Sequence, residues 1–319
     1  MLEKNTSSAG LPVYVLVTPA RNEAQLIEHT LKSVVAQTVL PLKWVIVSDG
    51  STDGTNQIVG RYAAEYPWIE LVVLPDRKER HFAGKVLAFN RGWERLTGLQ
   101  YDVIGSLDGD LSFDSDYFEF LLQKLSDDPA LGLAGTPFAD SSTGETYDYR
   151  FVNIEHVSGA CQLFRRECFE GIGGYVPIKG GGIDYVAVVK TRMHGWKTRT
   201  FTDKVTIHHR KLGTAQAGKL AAKAAYGRKD YMLGNHPVWE MFRTVYQMRQ
   251  PPFVLGGLAM AWGYFCAMAQ RIERPVSSEL IAFQRREQMQ RLRRFVTGRT
   301  TKNPRQAGMA QVSARQAAK

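Results

Sequence analysis

The stretch Val103-Ile-Gly-Ser-Leu-Asp-Gly-Asp110 places two carboxylates directly after a short apolar run. Runs of this kind, bounded by Pro, Gly and Asp, are typical of buried parallel strands. Three more such runs occur upstream, at residues 13–17, 44–47 and 71–74. Helix-favouring segments separate them, at residues 23–37, 55–66 and 84–96. This alternation predicts an α/β fold, with a doubly wound, mostly parallel open sheet, flanking helices and right-handed crossovers.

The residues that follow each apolar run are the first candidates for function. Ligands of open α/β sheets bind at the carboxyl ends of the strands. The first run is followed by Thr18-Pro-Ala-Arg-Asn-Glu23 and the second by Ser48-Asp-Gly-Ser-Thr-Asp53. Asp49 lies nearer its strand end and is the better nucleotide ligand, whereas Asp53 is placed to cap the next helix. We therefore expect polar and acidic side chains to converge at one edge of the sheet.

The pair Asp108 and Asp110 is the strongest chemical signal in the sequence. Hard oxygen ligands suit Mg²⁺ or Mn²⁺ carrying a diphosphate, with Asp110 facing the cation and Asp108 facing a sugar or a metal-bound water. Because Asp and Gly are also turn residues, a solvated turn is the alternative. His208 follows a strand-like segment at residues 200–207. It is a candidate further metal ligand or diphosphate contact, with a purely structural histidine as the alternative.

Asp184 follows a glycine-rich loop, residues 171–182, and stands at the start of a helical pattern. An acid at this position is commonly an N-cap, but it is also where a general base would be held. The spacing alone does not separate the two roles.

Composition sets the class of protein. The chain has 319 residues, of which 44% are hydrophobic and 23% charged, and this excludes global disorder. Within a formal net charge of +10, residues 271–319 hold twelve Lys and Arg against three Glu. The nearly neutral remainder argues against a nucleic-acid surface there, while the basic tail indicates RNA, anionic lipid or simple solubility. Three cysteines without a Cys-x-x-Cys motif, and a start without an export signal, favour the cytoplasm.

The C-terminal third predicts a helical extension. Residues 253–269 are uncharged but shorter than the about 20 residues that span a bilayer, so we expect an interfacial element, with a core helix as the alternative. Residues 280–295 mix apolar side chains with arginines, as in a basic helix on anionic lipid; a solvated helix covering the catalytic domain is the alternative. We predict a nucleotide-sugar-binding domain at 1–225, a membrane-associating extension at 226–298 and a disordered basic tail at 299–319.

Taken together, the motifs resemble family 2 glycosyltransferases with the GT-A fold, of the bacterial polysaccharide-assembly type, over about residues 12–215. Pro19-Ala-Arg-Asn-Glu23 resembles the family's Pro-Ala-Tyr-Asn-Glu, and residues 48–53 resemble Asp-Asp-Gly-Ser-x-Asp. Residues 84–92 are similar to the Lys-x-x-Ala-Leu-Asn-x-Gly helix, and 108–110 match the Asp-x-Asp motif. Gly182-Ile-Asp184 falls where the family has Glu-Asp. Arg21, Ser48 and Ile183 depart from the family's usual residues.

The resemblance implies a metal-dependent, inverting transfer of a sugar from a nucleotide sugar, by family frequency a UDP-sugar, to a hydroxyl group. It makes Asp184 the catalytic base, assigns Mn²⁺ or Mg²⁺ to Asp110 and His208, and places the acceptor loop at Gly182 and Ile183. The implied donor-binding residues are Pro19, Ala20, Arg21, Glu23, Asp49, Lys85, Asp108 and Gly109.

Docking of the extension on the inner face of the cytoplasmic membrane would make a lipid-linked glycan the natural acceptor. A sugar nucleotidyltransferase and a catalytically silent GT-A-like carbohydrate-binding scaffold are the alternatives.

Overall fold

The computed structural model describes residues 10–76, 82–141, 154–210 and 218–297. The chain divides into two compact units, Met1–Leu212 and Gly213–Lys319. The sequence placed this boundary at residue 225, which lies within the first helix of the second unit, Lys219–Met232. The predicted division into three parts stays a prediction. The tail predicted at 299–319 lies outside the described residues.

The first unit is built on a seven-stranded sheet. The strands of the unit, in chain order, are β1 (Tyr14–Ala20), β2 (Lys43–Asp49), β3 (Ile69–Leu74), β4 (Val103–Leu107), β5 (Leu111–Ser112), β6 (Leu131–Gly135), β7 (Phe138–Asp140), β8 (Cys161–Arg165), β9 (Lys197–Thr200) and β10 (Thr206–His208). The large sheet has the order β3-β2-β1-β4-β8-β6-β9, and β5-β10-β7 form a small second sheet. In the large sheet β8 runs antiparallel to both its neighbours, while the other pairs are parallel. The predicted mostly parallel α/β sheet is confirmed.

Helices flank this sheet. Those of the first unit are α1 (Ile27–Val35), α2 (Thr55–Glu65), α3 (Ala83–Glu94), α4 (Tyr117–Asp127), α5 (Arg166–Gly171) and α6 (Ile183–Met193). Those of the second unit are α7 (Lys219–Met232), α8 (Pro237–Gln247), α9 (Leu255–Ala269) and α10 (Ser278–Val296). Among the described residues, no helix combines the length and apolar character needed to cross a membrane.

Close packing at one glycine sets the position of α3 on the sheet. A Cβ on Gly92 would lie 2.5 Å from Cγ1 of Val17 and 3.0 Å from Cγ2 of Val47. Only a residue without a side chain therefore lets the helix approach β1 and β2 this closely. The same helix carries Lys85, so this contact also helps to position the Lys85 side chain relative to the end of the sheet.

Two predicted elements differ from the structure. Helix α1 begins at Ile27 rather than at residue 23, because Asn22 has a φ of +54° and the amides of Glu23 and Ala24 bond to the side chains of Thr55 and Asp53. The strand predicted at 200–207 is two strands, β9 and β10, which belong to different sheets. Residues 201–205 carry the chain from one sheet to the other.

Candidate active site

The two acids of the Asp-x-Asp motif lie in the turn between β4 and β5. The amide of Asp108 donates a 2.9 Å bond to the carbonyl of Ala160, just before β8. Beyond Asp110, Leu111 exchanges two 2.9 Å bonds with the Thr30 hydroxyl on α1. The turn is thus anchored on both sides, and the solvated turn considered as its alternative is not what the structure shows, because Asp110 is only 6% exposed.

Lys85 forms an ion pair with Asp108. Its Nζ lies 2.5 Å from Oδ1 of Asp108. Burial works to lower the pKa of Lys85, but the charge and hydrogen bond of Asp108 outweigh it and raise the pKa. Lys85 therefore remains a cation at neutral pH. It stands at the acidic turn, where a phosphate group could compete with Asp108 for it.

Asp110 holds its two oxygens in different environments. Oδ2 accepts a 3.0 Å bond from Nε of Arg210. Oδ1 is buried without a hydrogen bond and lies 3.6 Å from Nε2 of His208. The Nδ1 of His208 is 2.8 Å from the carbonyl oxygen of Arg210, which can only accept, so Nδ1 carries the proton. In the neutral ring the lone pair of Nε2 is therefore left for another partner.

This donor set fits a divalent cation. A carboxylate oxygen without a hydrogen bond lies next to an imidazole nitrogen, and the ring is oriented by a bond through its other nitrogen. Such a pair has the chemistry of two metal ligands. Among the described residues, no group of three or more His, Cys, Asp or Glu residues is arranged to hold an ion. Two protein ligands would leave the remaining coordination positions to a bound molecule and water.

Arg210 bonds both to Glu23, which follows β1, and to Asp110 in the Asp-x-Asp turn. Its Nη2 donates to both carboxylate oxygens of Glu23, while its Nε bonds to Asp110. Burial, assisted by the charges of Asp110 and Asp108, raises the pKa of Glu23 to about 7, against the opposing charge of Arg210. Near neutral pH this carboxyl group is consequently close to its titration point.

A second charged group lies at the ends of β1, β2 and β3. Nη1 of Arg21 is 3.9 Å from Oδ2 of Asp49, and its Nη2 is 3.2 Å from Oδ1 of Asp76. Gly50 has a φ of +69°, and a Cβ on it would lie 2.7 Å from Cα of Asp76, so only glycine fits. Pro19 and Ala20, the last residues of β1, pair in register with Val47 and Ser48.

Asp184 lies in the first turn of α6. The N-cap of this helix is Gly182, with a φ of +88°, so Asp184 is not the cap residue. Asp184 can lie against the backbone of Gly159 because this residue has no side chain. A Cβ on Gly159 would lie 2.8 Å from Cβ of Asp184. Gly159 adjoins Ala160, whose carbonyl binds the Asp108 amide. The charge of Asp184 also raises the pKa of Lys85, so the acid stands within electrostatic reach of the Lys85–Asp108 pair.

The neighbours of Asp184 and Asp110 are packed rather than charged. Ile183 is 8% exposed and forms part of the core. A Cβ on Gly109 would lie 3.7 Å from Ile27 and Thr18, in ordinary contact. Ile183 therefore packs α6 against the core. Gly109 adds no side chain between Asp108 and Asp110.

Comparison with known proteins gives the family. Residues 15–173 match the family model described as Glycosyl transferase family 2. The chain belongs to glycosyltransferase family 2. The family resemblance predicted from the motifs is thereby confirmed, and so is the GT-A fold.

Relatives of this family 2 chain are similar over part of their length. Glycosyltransferase AglE of Haloferax volcanii is 30% identical over 192 residues, which are 55% of this chain and 60% of AglE. The poly-β-1,6-N-acetyl-D-glucosamine synthase of Staphylococcus aureus is 29% identical over 117 residues, 36% of this chain and 26% of the synthase. The chain thus spans about a quarter to three fifths of the length of these relatives.

Two solved structures share the fold of this family 2 chain. The mannosyltransferase PcManGT of Pyrobaculum calidifontis, in complex with GDP-Man and Mn²⁺, has a TM-score of 0.53 at 20% identity and covers 89% of this chain and 81% of its own. GalNAc-T7 with UDP, GalNAc and Mn²⁺ has a TM-score of 0.59 at 14% identity and covers 91% and 58%. At these identities the likeness concerns the fold.

Two features of this site were not predicted from the sequence. One is the pairing of Arg210 with Glu23, which are 187 residues apart. The other is Asp76, which contacts Arg21 and follows the third apolar run by two residues. The signal for Asp76 was present, because an acid just beyond a strand end is the pattern that singled out Asp49.

Proposed function

We propose that this chain is a divalent-metal-dependent, inverting glycosyltransferase that moves a sugar from a nucleotide-sugar donor to a hydroxyl of a lipid-linked glycan. The observation that carries the proposal is the buried Oδ1 of Asp110, which has no hydrogen bond and lies 3.6 Å from Nε2 of His208. Lys85 and Asp184 stand in the same acidic neighbourhood. Asp110 and His208 would suit a cation, Lys85 a diphosphate, and Asp184 the acceptor hydroxyl.

Asp110 and His208 would hold Mn²⁺ or Mg²⁺, and the ion would supply positive charge to a leaving diphosphate. Lys85 and Arg210 are two cations at this site that would bind the phosphate oxygens as their negative charge increases. Both are paired with acids in this structure, Lys85 with Asp108 and Arg210 with Glu23 and Asp110. Donor binding would exchange these internal partners for phosphate oxygens.

Asp184 would remove the proton from the acceptor hydroxyl as its oxygen attacks the anomeric carbon from the side opposite the leaving group. A single displacement of this kind inverts the configuration and needs no covalent intermediate. Asp184 lies in the first turn of α6. Gly182, the N-cap of α6, would lie on the acceptor side, while Ile183 supports the helix from the core.

The nucleoside would lie at the ends of β1 and β2, with Pro19, Ala20, Arg21 and Asp49 around it. Asp49 is 6% exposed, so a hydrogen bond from a base would be well shielded from water. We choose a UDP-sugar as donor. In support, Staphylococcus aureus TarS and GalNAc-T7 were crystallised with UDP-GlcNAc and UDP respectively, whereas PcManGT holds GDP-Man.

The acceptor and the location are the remaining parts of the proposal. The helical unit carries a basic excess, with thirteen Lys and Arg against five Asp and Glu at 218–297, and this charge suits an anionic membrane surface. We propose peripheral attachment to the inner face of the cytoplasmic membrane, where lipid-linked glycans would be available as acceptors.

The test measures release of UDP from UDP-sugars in the presence of Mn²⁺ and lipid-linked acceptors. We expect turnover by the wild type and a fall of at least about 100-fold in Asp110→Ala. Asp127→Ala, an exposed acid on α4, is the matched control and should retain activity. Consumption of a nucleoside triphosphate would instead indicate a nucleotidyltransferase. Donor binding with neither transfer to an acceptor nor hydrolysis of the donor would indicate a catalytically silent scaffold.

A further inference from the structure

One side of α9 leaves large apolar side chains in solvent. Leu255, Leu258 and Trp262 follow one another at helical spacing and are 56%, 51% and 71% exposed. Together with Leu220 of α7 and Phe265 they line an open groove of about 570 Å³. We call these five residues the α9 face. An exposed apolar surface of this extent is uncommon on a helical unit that has no partner.

The turn before α9 continues the apolar surface. Phe253 is 65% and Val254 53% exposed, and Val254 has a φ of +57°. A β-branched residue is disfavoured at this positive φ, where glycine would be the stable choice. Neither the strain nor the exposure contributes to the stability of the fold, and this indicates that the apolar tip serves binding.

The interior of the unit does not need the α9 face. Helices α7 and α9 meet at Gly227 and Gly263, where a Cβ would overlap the backbone of the facing helix. Behind them the Asn235 side chain accepts bonds of 2.6 and 2.7 Å from Gln284 and Gln288 of α10. Gln284 and Gln288 are buried, and their bonds to Asn235 attach α10 to the interior of the unit. The exposed apolar side of α9 is left free of that packing.

Charge identifies the partner. Residues 251–270 contain no acidic residue, and the unit as a whole has thirteen Lys and Arg against five Asp and Glu at 218–297. Two of those five acids, Asp230 and Glu240, are buried. The surface of the unit is therefore strongly basic and carries an apolar face that includes a tryptophan. The basic charge suits anionic headgroups, and the apolar face suits the acyl chains of a bilayer.

We propose that the α9 face, with Phe253 and Val254 at its tip, inserts into the headgroup region of an anionic phospholipid bilayer and is the membrane-docking surface of this chain. This rests on the membrane attachment in the proposed function and deepens it by assigning the inserted surface to α9. It is independent of the transfer reaction. Trp262, the most exposed residue of the face, would lie at the boundary between headgroups and acyl chains.

The experiment is flotation of the full chain with vesicles of phosphatidylcholine alone or mixed with phosphatidylglycerol. We expect binding to the anionic vesicles, weakened by salt, and a loss of about tenfold or more in the double variant Leu258→Ser/Trp262→Ser. The matched control is Met241→Ser/Val245→Ser, which removes two side chains of α8 that are 49% and 52% exposed. It should float as the wild type does.

A second measurement does not depend on a disruptive variant. Brominated acyl chains should quench part of the tryptophan fluorescence of the wild type and less of that of Trp262→Phe, which keeps an apolar ring. Equal flotation of the α9 variant and the wild type, equal quenching of Trp262→Phe and the wild type, or loss of binding only in the α8 variant would each overturn the assignment. So would dimerisation through the α9 face, seen as a halved mass by light scattering in the α9 variant. UDP release assayed on the same variants separates this result from failure of the transferase proposal.

Discussion

Glu23 should make the ligand-free protein less stable at alkaline pH, and Glu23→Gln should relieve this. Burial, with Asp110 and Asp108 adding to it, raises the pKa of Glu23 from 4.5 to about 7 even though Arg210 opposes the shift. A carboxyl group with a raised pKa binds its proton more tightly in the folded state than in the unfolded state. Its contribution to stability is therefore present below pH 4.5 and is lost as the pH rises through 7.

The shift sets the magnitude. An increase of this size corresponds to roughly 3 kcal/mol between acidic and alkaline pH. Because Arg210 is 43% exposed, and solvent screens charges at its edge, we expect about 1–3 kcal/mol in practice. Glutamine has nearly the same shape and can still accept from Arg210, but it has no charge to desolvate. Glu23→Gln should thus be about as stable as the wild type near pH 4.5 and more stable at pH 8.

The assay is urea unfolding followed by tryptophan fluorescence between pH 4.5 and 8.5, compared for the wild type, Glu23→Gln and Glu94→Gln. Glu94 is 61% exposed and pairs with Arg91 on the surface of α3, so its variant should show no pH-dependent gain. A Glu23→Gln protein that is less stable than the wild type at pH 8 would refute the reasoning. It would mean that the Arg210 ion pair outweighs the cost of burying the charge.

Three further outcomes are expected. Asp184→Asn should lower kcat by about 10³-fold or more while leaving the affinity for the nucleotide sugar within a few-fold, and an equal fall in donor affinity by calorimetry would contradict its role as base. Lys85→Met should weaken donor binding by about 10- to 100-fold, since it removes a charge-assisted bond to phosphate; unchanged binding in calorimetry would place Lys85 away from the donor. Gly92→Ala should lower the free energy of unfolding by about 1–3 kcal/mol, because the added methyl group would overlap Val17, and thermal unfolding at the wild-type temperature would show that α3 can shift.

The central sheet was predictable because its signals are local. The runs around Trp44 and Val103 are apolar for four or five residues and end at acids, and a buried parallel strand produces this pattern by itself. Positions of the acids followed from the same rule, since the carboxyl ends of parallel strands share one edge. Asp108, Asp110 and Asp49 could be singled out for this reason before their surroundings were known.

The pairings within the site could not be predicted, because they depend on tertiary structure. Arg210 meets Glu23 only after the small sheet β5-β10-β7 brings the end of β10 beside the end of β1. The orphaned Oδ1 of Asp110 and the protonated Nδ1 of His208 likewise arise from contacts that no spacing reveals.

Helix α10 has a buried polar face that the sequence pattern did not predict. Its arginines and scattered apolar residues suggested a helix lying on lipid. In the structure its inward positions include Gln284 and Gln288, whose amides bond to Asn235. A polar side chain can be buried at low cost when its hydrogen bonds are satisfied, and hydrophobic periodicity does not detect such a face.

The central claim is that Asp110 and His208 jointly bind a divalent ion that carries the diphosphate of the donor. Electron spin-echo measurements on Mn²⁺ bound to the full chain with UDP test it most directly, because nitrogen from a coordinated imidazole modulates the echo. The account predicts this nitrogen modulation in the wild type, its disappearance in His208→Gln, and loss of bound Mn²⁺ in Asp110→Ala. Mn²⁺ bound equally well by all three proteins, with the same nitrogen signal, would contradict it.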